Sequence, residues 1–332
     1  MQNKEVSSIE GPISSRLSAR ERVGLVISGT DTLAAVSAIV AAESAGVRQV
    51  WMTQGGPSPD TLSLFVAAAV QTTSIRLGTA IIPTYPRHPL TMAQQALTLG
   101  DLAPGRLRLG IGPSHRPIIE GTYGIPMTAP LEYLKEYVSV LRSALWEGKV
   151  NYQGHFFTVK TTLPRPPHTP ILISALRTGA FQLAGAIADG AISWVCPAPY
   201  LIEKALPALR AGAASRKRPA PPLIAHIPVA LSQDHQAVLD IARKQLGRYG
   251  KLPFYTGMFA DAGFPVSSDG TLSDALLDSL VVSGDEATVM ARLTDLLAQG
   301  LDELLIQPIA VADIAGEQAR LAALIGQLSS SV

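Results

Sequence analysis

The sequence predicts an α/β protein built as one (β/α)8 barrel, and three observations support this. Eight short runs rich in Val, Ile and Leu recur along the chain, and each precedes a segment with helical spacing of apolar residues. The runs lack strict apolar–polar alternation, which is typical of parallel strands buried on both faces. The 332 residues, of which 47% are apolar, suffice for a barrel of this kind.

The predicted strands are separated by intervals that leave room for a helix. The first helices are predicted at Thr32–Ala45, which ends at Gly46, and at Asp60–Thr73, which begins after Pro59. The last is predicted at Asp313–Leu328. The strand candidates are Val23–Ile27, Val47–Met52, Ile75–Ile82, Leu107–Ile111, Ile171–Ser174, Ala191–Val195, Leu223–Ala230 and Glu303–Gln307.

Three segments lie outside this alternation. Lys149–Lys160 predicts a polar hairpin with Gly154 in its turn, and a Pro-rich segment, Pro164–Pro170, follows. Tyr249–Asp274 combines Gly, Pro and aromatic residues and predicts an insertion over one end of the barrel. Residues 1–22 lack the apolar region of a secretory signal and predict a flexible extension before a barrel domain of residues 23–332.

Composition and charge exclude several classes of function. The formal net charge of +1 gives no basic field for nucleic acid or an acidic membrane. A single Cys excludes a disulfide framework, and the six His show no metal-ligand spacing. No apolar run has the length of a membrane-spanning helix. We therefore expect a cytoplasmic enzyme that acts on a small molecule, without a metal, a nucleic acid or a membrane as partner.

In a (β/α)8 barrel, chemistry takes place at the C-terminal ends of the strands. The residues predicted there are mostly small, uncharged or hydroxyl-bearing, which favours a flat, uncharged ligand over a metal or a carboxylate pair. They are Ser28-Gly29, Thr53-Gln54-Gly55, Ala80-Ile81-Ile82, Gly112-Pro113-Ser114-His115, Ser174–Gly179, Trp194-Val195-Cys196 and Gln307.

Two histidines and one cysteine near these ends have contrasting interpretations. His115 directly follows a predicted strand, where an imidazole could exchange a proton near neutral pH; the alternative is a loop histidine bonded to backbone. His88 precedes Pro89 and predicts a structural bond near a helix start. Cys196 has no evident activating base and predicts an inert wall position.

The glycine and tryptophan positions leave alternatives open. Leu109–Gly112 contains a GxG without the third glycine, which speaks against a nicotinamide Rossmann site. Ser174–Gly179 joins a strand to a helix, so its amides and Arg177 could hold a phosphate, or Arg177 could simply be solvated. Trp51 and Trp194 could face a ring ligand or fill the barrel.

A set of motifs in fixed order resembles a known superfamily. The segment LGTAIIPTYPRHP (77–89), the run QQALT (94–98) and GRLRLGIG (105–112) are similar to the bacterial luciferase-like monooxygenase superfamily. They are most similar to the oxidoreductases that use the deazaflavin coenzyme F420. Further matches are Tyr133–Leu145, the hairpin GHFF (154–157) and LAGAIADG (183–190), so that the resemblance extends from about Val23 to about Pro308.

The resemblance implies a barrel of the bacterial luciferase-like type with insertions at its C-terminal mouth, a homodimer, and a flavin or deazaflavin across that mouth. It implies a non-prolyl cis peptide bond at Ala80–Ile81 behind the ring, backbone contacts from Gly112 and Pro113, and a wall at Trp194. Thr53 and Gln54 would lie at the ring, and Gln54 would bond its polar edge. The phosphate and tail would lie at Ser174, Ala175, Leu176, Arg177, Thr178 and Gly179.

The chain also departs from this pattern in two positions. Gly55 stands where related alcohol and sugar-phosphate dehydrogenases have the His that acts on the substrate hydroxyl, and His115 stands near the position of their Glu. These departures argue against such a dehydrogenase. They favour the reduction of an activated C=C or C=N bond, with His115 and Gln54 as catalytic residues and His115 as proton donor or acceptor.

Tyr123, Tyr249 and Tyr255 are expected to shape the substrate side. The main alternative is an FMN-dependent monooxygenase of the same superfamily. A second alternative is a non-catalytic flavin-binding relative. A cofactor-free isomerase or lyase is disfavoured, because no Lys, Glu or Asp occupies a predicted strand end.

Overall fold

The computed structural model describes residues 17–28, 31–55 and 58–329. Most of the extension predicted at residues 1–22, together with Gly29, lies outside these residues. Within the described part of the chain, the strands are β1 (Val23–Val26), β2 (Gln49–Met52), β3 (Arg76–Thr79), β4 (Ile82–Pro83), β5 (Leu107–Gly112), β6 (Lys149–Gln153), β7 (Thr158–Thr162), β8 (Ile171–Ser174), β9 (Gly190–Ile192), β10 (Leu223–Ala230), β11 (Val282–Ser283) and β12 (Glu303–Pro308).

The helices surround these strands. They are α1 (Ala19–Arg22), α2 (Thr32–Ser44), α3 (Thr61–Ala69), α4 (Pro89–Leu102), α5 (Arg116–Gly121), α6 (Pro130–Arg142), α7 (Thr178–Ile187), α8 (Ala198–Tyr200), α9 (Leu206–Ser215), α10 (His235–Leu246), α11 (Pro253–Asp261), α12 (Asp274–Leu280), α13 (Glu286–Ala298) and α14 (Ile314–Gly326). Single π turns occupy Ser143–Glu147 and Leu201–Ala205, and a 3₁₀ turn occupies Gly247–Lys251.

Eight parallel strands close into a barrel in the order β1, β2, β3, β5, β8, β9, β10 and β12, and β12 pairs back onto β1. β4 adds to β5, β11 adds to β10, and β6 and β7 form a separate antiparallel hairpin. The predicted (β/α)8 fold and the predicted hairpin are therefore confirmed. None of the helices in the described ranges is long and apolar enough to cross a membrane.

The barrel interior is a packed apolar core. Trp51 on β2 is fully buried there and requires glycine on both neighbouring strands, because a Cβ at Gly24 or Gly78 would overlap the indole. Trp51 thus fills the barrel, which settles one of the two alternatives for this residue. The other buried members of this core are Val26, Ala80, Leu172, Ile192, Ile224 and Leu305.

A polar cluster lies on the barrel's N-terminal side of Trp51. Glu303 at the start of β12 is buried and receives two hydrogen bonds from the Arg108 guanidinium, at 2.5 and 2.8 Å. The Gln49 amide donates to the same carboxylate at 3.1 Å, and Arg108 also lies over the Trp51 ring. Paired in this way, these charges are part of the barrel's structure.

Several predicted boundaries differ from the observed ones. The strand predicted at Ile75–Ile82 is two strands, because the Thr79 side chain replaces a backbone partner: its hydroxyl bonds both the C=O and the N–H of Gly110, at 2.7 and 2.8 Å. The strand predicted at Ala191–Val195 ends at Ile192, and Val195 has a left-handed φ of +52°.

Some helices are also shorter at their ends than predicted. The helix predicted at Asp60–Thr73 spans Thr61–Ala69, and Asp60 is its N-cap through a bond from the Ser63 N–H. Asp313 caps α14 in the same way. The insertion predicted at Tyr249–Asp274 contains the end of the 3₁₀ turn and α11, and the chain between α11 and α12 is not helical.

Candidate active site

The ends of β2 and β3 are joined beside a non-prolyl cis peptide bond at Ala80–Ile81, so that prediction is confirmed. The Ala80 N–H donates to the Met52 carbonyl at 2.8 Å, and the Gln54 N–H donates to the Ile81 carbonyl at 3.2 Å. These bonds bring the predicted residues 53–54 and 80–81 to the same part of the mouth.

The ends of β5 and β8 are equally close. A Cβ at Gly112 would overlap the Ser174 hydroxyl, so only glycine fits there without a shift. The Gly112 carbonyl accepts a hydrogen bond from the Thr84 N–H at 2.9 Å. Pro113 is half-buried, and Ser114 follows with a left-handed φ of +62°. The chain then turns into α5 with His115 at its N-cap.

The His115 imidazole makes no hydrogen bond with the described residues, although its backbone carbonyl accepts from Ile118 and Ile119. Its ring lies 5.7 Å from the Tyr255 ring and 6.4 Å from the Tyr249 ring. Burial, and then the positive charge of Arg248, lower the pKa of His115 below its usual 6.5. At neutral pH the ring is therefore uncharged, with one N–H to donate and one nitrogen to accept.

The insertion predicted over the barrel supplies the aromatic residues beside His115. The Tyr249 hydroxyl accepts a hydrogen bond from the Trp194 indole N–H at 2.7 Å and another from the Arg248 guanidinium at 3.1 Å. Tyr249 and Tyr255 are in ring contact at 4.6 Å. Tyr123 is exposed on the surface after α5.

His226, in the middle of β10, is a functional candidate that the sequence analysis did not single out. It is buried and stacks on Trp194 with 3.7 Å between ring centroids. Its Nδ1 accepts from the Val195 N–H at 3.2 Å, and its Nε2–H donates to Gln307 Oε1 at 2.5 Å. Burial lowers the pKa of His226 to about 3, so it stays neutral. In the sequence, the signal that could have identified this residue is a histidine within an otherwise apolar predicted strand.

The loop between β8 and α7 offers unsatisfied amides. The Ala175 N–H bonds the Ile192 carbonyl, and the Leu176 carbonyl accepts from the Tyr200 hydroxyl. α7 begins at Thr178 with no side-chain cap from any described residue, and its first amides have no helical partner. A Cβ at Gly179 would meet no heavy atom within 4 Å, which leaves open space there.

Arg177, expected as an anion partner or a solvated residue, is half-exposed and forms an ion pair, and its contact with an anion stays a prediction. Its Nη2 lies 2.9 Å from Asp261 on α11, and the side chain is 48% exposed. The pair ties the α7 start to the insertion. An anion bound at this loop would contact the amides of α7, and the Arg177 guanidinium beside them already has a carboxylate partner in Asp261.

Gln54 has a structural role that the sequence did not predict. Its Oε1 accepts from the Thr61 N–H at 2.8 Å, and its Nε2 donates to the Ser58 hydroxyl and carbonyl at 3.3 Å. The amide thus secures the start of α3. Thr53 is exposed, and its carbonyl lies 3.4 Å from the Thr61 hydroxyl. Contact of either residue with a ring stays a prediction.

The two remaining sequence candidates have structural positions. His88 is the N-cap of α4, and its Nδ1 accepts from the Leu90 N–H at 3.1 Å, as predicted. Cys196 is buried, and burial raises the pKa of its thiol to about 12, so it is not a nucleophile at neutral pH. Across the described ranges, no group of three or more His, Cys, Asp or Glu side chains could hold a metal.

The residues at the mouth fit a flavin-like group. The uncapped start of α7 suits a phosphate, because helix N-termini bind anions. The Ser193 hydroxyl, next to Trp194, is buried and has no hydrogen-bond partner in the part of the chain that the structure describes. The strand ends around it contribute backbone and apolar surface, which suits a flat ring.

Comparison with known proteins gives a consistent result. The model of the luciferase-like monooxygenase family matches residues 17–303. An F420-dependent glucose-6-phosphate dehydrogenase of Microbacterium testaceum is 36% identical over 206 residues, which cover 59% of this chain and 61% of that relative. The chain is thus aligned with less than two thirds of that relative's length.

A second relative, a 5,10-methylenetetrahydromethanopterin reductase of Methanolobus tindarius, is 25% identical over 79% of this chain and 86% of its own length. Among solved structures, an F420-dependent secondary alcohol dehydrogenase in complex with an F420–acetone adduct superimposes with a TM-score of 0.78 at 18% identity. That match covers 93% of this chain and 98% of the other, and it supports the fold.

Proposed function

The chain belongs to the luciferase-like monooxygenase family, and on that premise we propose that it is an oxidoreductase that uses coenzyme F420. The proposed reaction moves a hydride between the deazaflavin and a small organic substrate, in the direction of reducing an activated C=C or C=N bond. The names of the two sequence relatives, an F420-dependent dehydrogenase and a reductase, support this cofactor and this class of reaction.

One observation carries the proposal: the mouth presents an uncharged, unpartnered imidazole at His115 between the end of β5 and the insertion. No Lys, Asp or Glu follows directly on the barrel strands at this rim in the described residues. Such a site provides one proton-transfer group and little other acid–base capacity. A hydride transfer that is accompanied by the transfer of a single proton requires only one such group.

The residues that would hold the cofactor come from four strand ends. Gly112 and Pro113 would contact the ring through backbone, Ala80 and Ile81 would support its other side, and Trp194 would form a wall. The amides of the loop 174–179 would bind the phosphate. Bound there, the reduced deazaflavin supplies the hydride.

The chain's own contribution is proton transfer and exclusion of water. His115 would take up a proton from solvent and pass it, as the imidazolium, to the substrate atom that becomes basic, which returns the ring to its neutral form. Tyr249 and Tyr255 are buried beside His115, so their rings would restrict the access of water to the reacting atoms. Gly55 lies at the end of β2 without a side chain, which favours reduction over the oxidation of a substrate hydroxyl.

An FMN-dependent monooxygenase is the second candidate, and the description of the matching family favours it. Fluorescence titration of the purified protein with coenzyme F420 and with FMN separates the two. Micromolar binding of F420 with weak binding of FMN supports the proposal. The reverse preference, with oxygen uptake coupled to product, refutes it, and binding without turnover on any substrate indicates a non-catalytic relative.

We also propose a cytoplasmic homodimer. The single, buried Cys agrees with a reducing compartment. Leu33 on α2 is 79% exposed and Val70, at the end of α3, is 66% exposed, so both offer apolar surface for a partner subunit. Light scattering coupled to gel filtration tests the dimer, and a monomer at micromolar concentration contradicts it.

A further inference from the structure

The rim of the mouth beside His115 holds an arginine that differs from its neighbours. Arg116, which follows His115, is paired with Glu120, and Arg177 is paired with Asp261. Arg248 has no carboxylate within 4 Å among the described residues. The four internal residues outside the description, at positions 29, 30, 56 and 57, carry no carboxyl group either.

Tyr249 adds a second, independent observation. Its hydroxyl oxygen accepts two hydrogen bonds, from Trp194 and from Arg248, which use both of its lone pairs. Its own O–H proton therefore needs an acceptor, and the described residues supply none. Since Tyr249 is only 4% exposed, this is a nearly buried donor without a partner, and such donors are costly to leave unpaired.

The Tyr255 hydroxyl extends the same pattern. The Tyr255 ring contacts those of Tyr249 and His115, the residue is 5% exposed, and its hydroxyl makes no hydrogen bond with the described residues. Burial keeps the phenol protonated by raising its pKa far above 10. These side chains therefore combine a guanidinium, two hydroxyl protons and the His115 N–H, and no carboxylate of the described residues lies within 4 Å of the guanidinium.

We infer that Arg248, Tyr249 and Tyr255 form an anion-binding subsite that takes the carboxylate or phosphate group of the substrate. A site rich in donors and poor in acceptors binds an oxyanion, and a guanidinium matches its geometry with paired N–H groups. The inference rests on the proposed function only in taking this mouth as the place of reaction. It restricts the substrate to an acid whose reducible bond lies within reach of His115.

The anion could belong to the cofactor instead, and the position of the groups argues against this. The loop 174–179 already offers helix amides for a phosphate, and its arginine pairs with Asp261. Arg248, in contrast, lies over the Tyr249 ring at 5.0 Å, that ring is 6.4 Å from the His115 ring, and the Arg248 charge contributes to lowering the pKa of His115. A substrate bound by Arg248 would therefore have its anionic group beside His115, the proposed proton donor.

The test uses the full-length apoprotein labelled with ¹⁵N-histidine, in which the His115 signal is assigned with His115→Gln. Inorganic phosphate, trans-cinnamate and methyl cinnamate are titrated at constant ionic strength in sodium chloride. We expect phosphate and cinnamate to shift the His115 signal saturably and the ester to do so far more weakly. Arg248→Gln should weaken binding of both anions by about 10- to 100-fold, and Tyr249→Phe by a smaller factor.

Arg243→Gln is the matched control, because it removes one positive charge five residues away on α10, where Arg243 is paired with Asp240 and Asp274. It should leave anion binding unchanged. The absence of a saturable shift in the wild-type protein overturns the inference. Equal affinities in Arg248→Gln and Arg243→Gln overturn it as well.

A second titration identifies the source of the anion. Coenzyme F420 is compared with its deazariboflavin fragment, which lacks the phosphate and the acidic tail. If Arg248→Gln weakens F420 binding but not that of the fragment, the subsite serves the cofactor and the substrate assignment is refuted. If F420 does not bind the wild-type protein at all, the proposed function fails, whereas the anion titration still decides the subsite.

Discussion

Replacing Glu303 by Gln should destabilise the barrel strongly, because it leaves a buried guanidinium without its counter-charge. The Glu303 side chain is 3% exposed and that of Arg108 is 11% exposed, and two hydrogen bonds join them. Breaking a buried pair in this way costs about 3–5 kcal/mol. A chain of this length unfolds with an entropy of roughly 0.7 kcal/mol/K, so Tm should fall by roughly 4–7 °C.

The stability that the Glu303–Arg108 pair contributes should depend on pH in a defined direction. Burial alone would raise the pKa of the Glu303 carboxyl, but the Arg108 charge and hydrogen bonds outweigh it and hold the pKa below the usual 4.5. The pair therefore contributes its stability above that usual value and loses it as the pH falls through the lowered pKa. The difference in stability between wild type and Glu303→Gln should be full at neutral pH and shrink at acidic pH.

Differential scanning fluorimetry and urea unfolding at several pH values measure both effects. The double variant Arg108→Met with Glu303→Leu is the control, because apolar replacement of both partners removes the unpaired charge. It should be more stable than Glu303→Gln. A Tm of Glu303→Gln equal to that of wild type, or a stability difference that grows as the pH falls, would refute the argument.

Three further predictions concern the mouth. His115→Gln should reduce turnover much more than it weakens cofactor binding, and equal turnover in steady-state assays would exclude His115 as the proton-transfer group. Because burial and Arg248 lower the pKa of His115 and the protonated ring is the donor, the alkaline limb of the pH–rate profile for reduction should lie below pH 6.5 in wild type and vanish in His115→Gln; a limb above 6.5 contradicts this. Gly112→Ala should impair cofactor binding, measured by fluorescence titration, because its Cβ overlaps the Ser174 hydroxyl. Adding Ser174→Gly should restore part of the binding. Unchanged binding in Gly112→Ala alone would show that the Ser174 side chain moves aside without cost.

The resemblance to a family predicted particular features of the mouth. The cis bond at Ala80–Ile81 was expected from the segment 77–89 and is present. The proximity of Gly112 to the Ser174 hydroxyl was not predicted, and it results from the parallel pairing of β5 with β8. The individual roles of these residues remain predictions, since they concern a bound ligand.

Other features of the site could not be predicted from local sequence. His226 is one polar residue in an apolar strand, and its role follows from Gln307 and Trp194, which lie on different strands. Gln54 was expected at the ring, whereas its amide is used by the start of α3. The hydrogen-bond partners of a side chain depend on residues far away in sequence, which a linear pattern does not specify.

The sequence by itself determined the element order and the closure into a (β/α)8 barrel, because strand burial and helix spacing are local properties of composition and period. It also placed the mouth residues, because parallel strands end on one side. The tertiary structure decided which hydrogen-bond donors find no acceptor among the described residues. Arg248, Tyr249 and Tyr255 are ordinary residues in sequence. Only the packing of the insertion onto Trp194 and His115 leaves the two phenol protons without an acceptor, and Arg248 without a carboxylate, among the described residues.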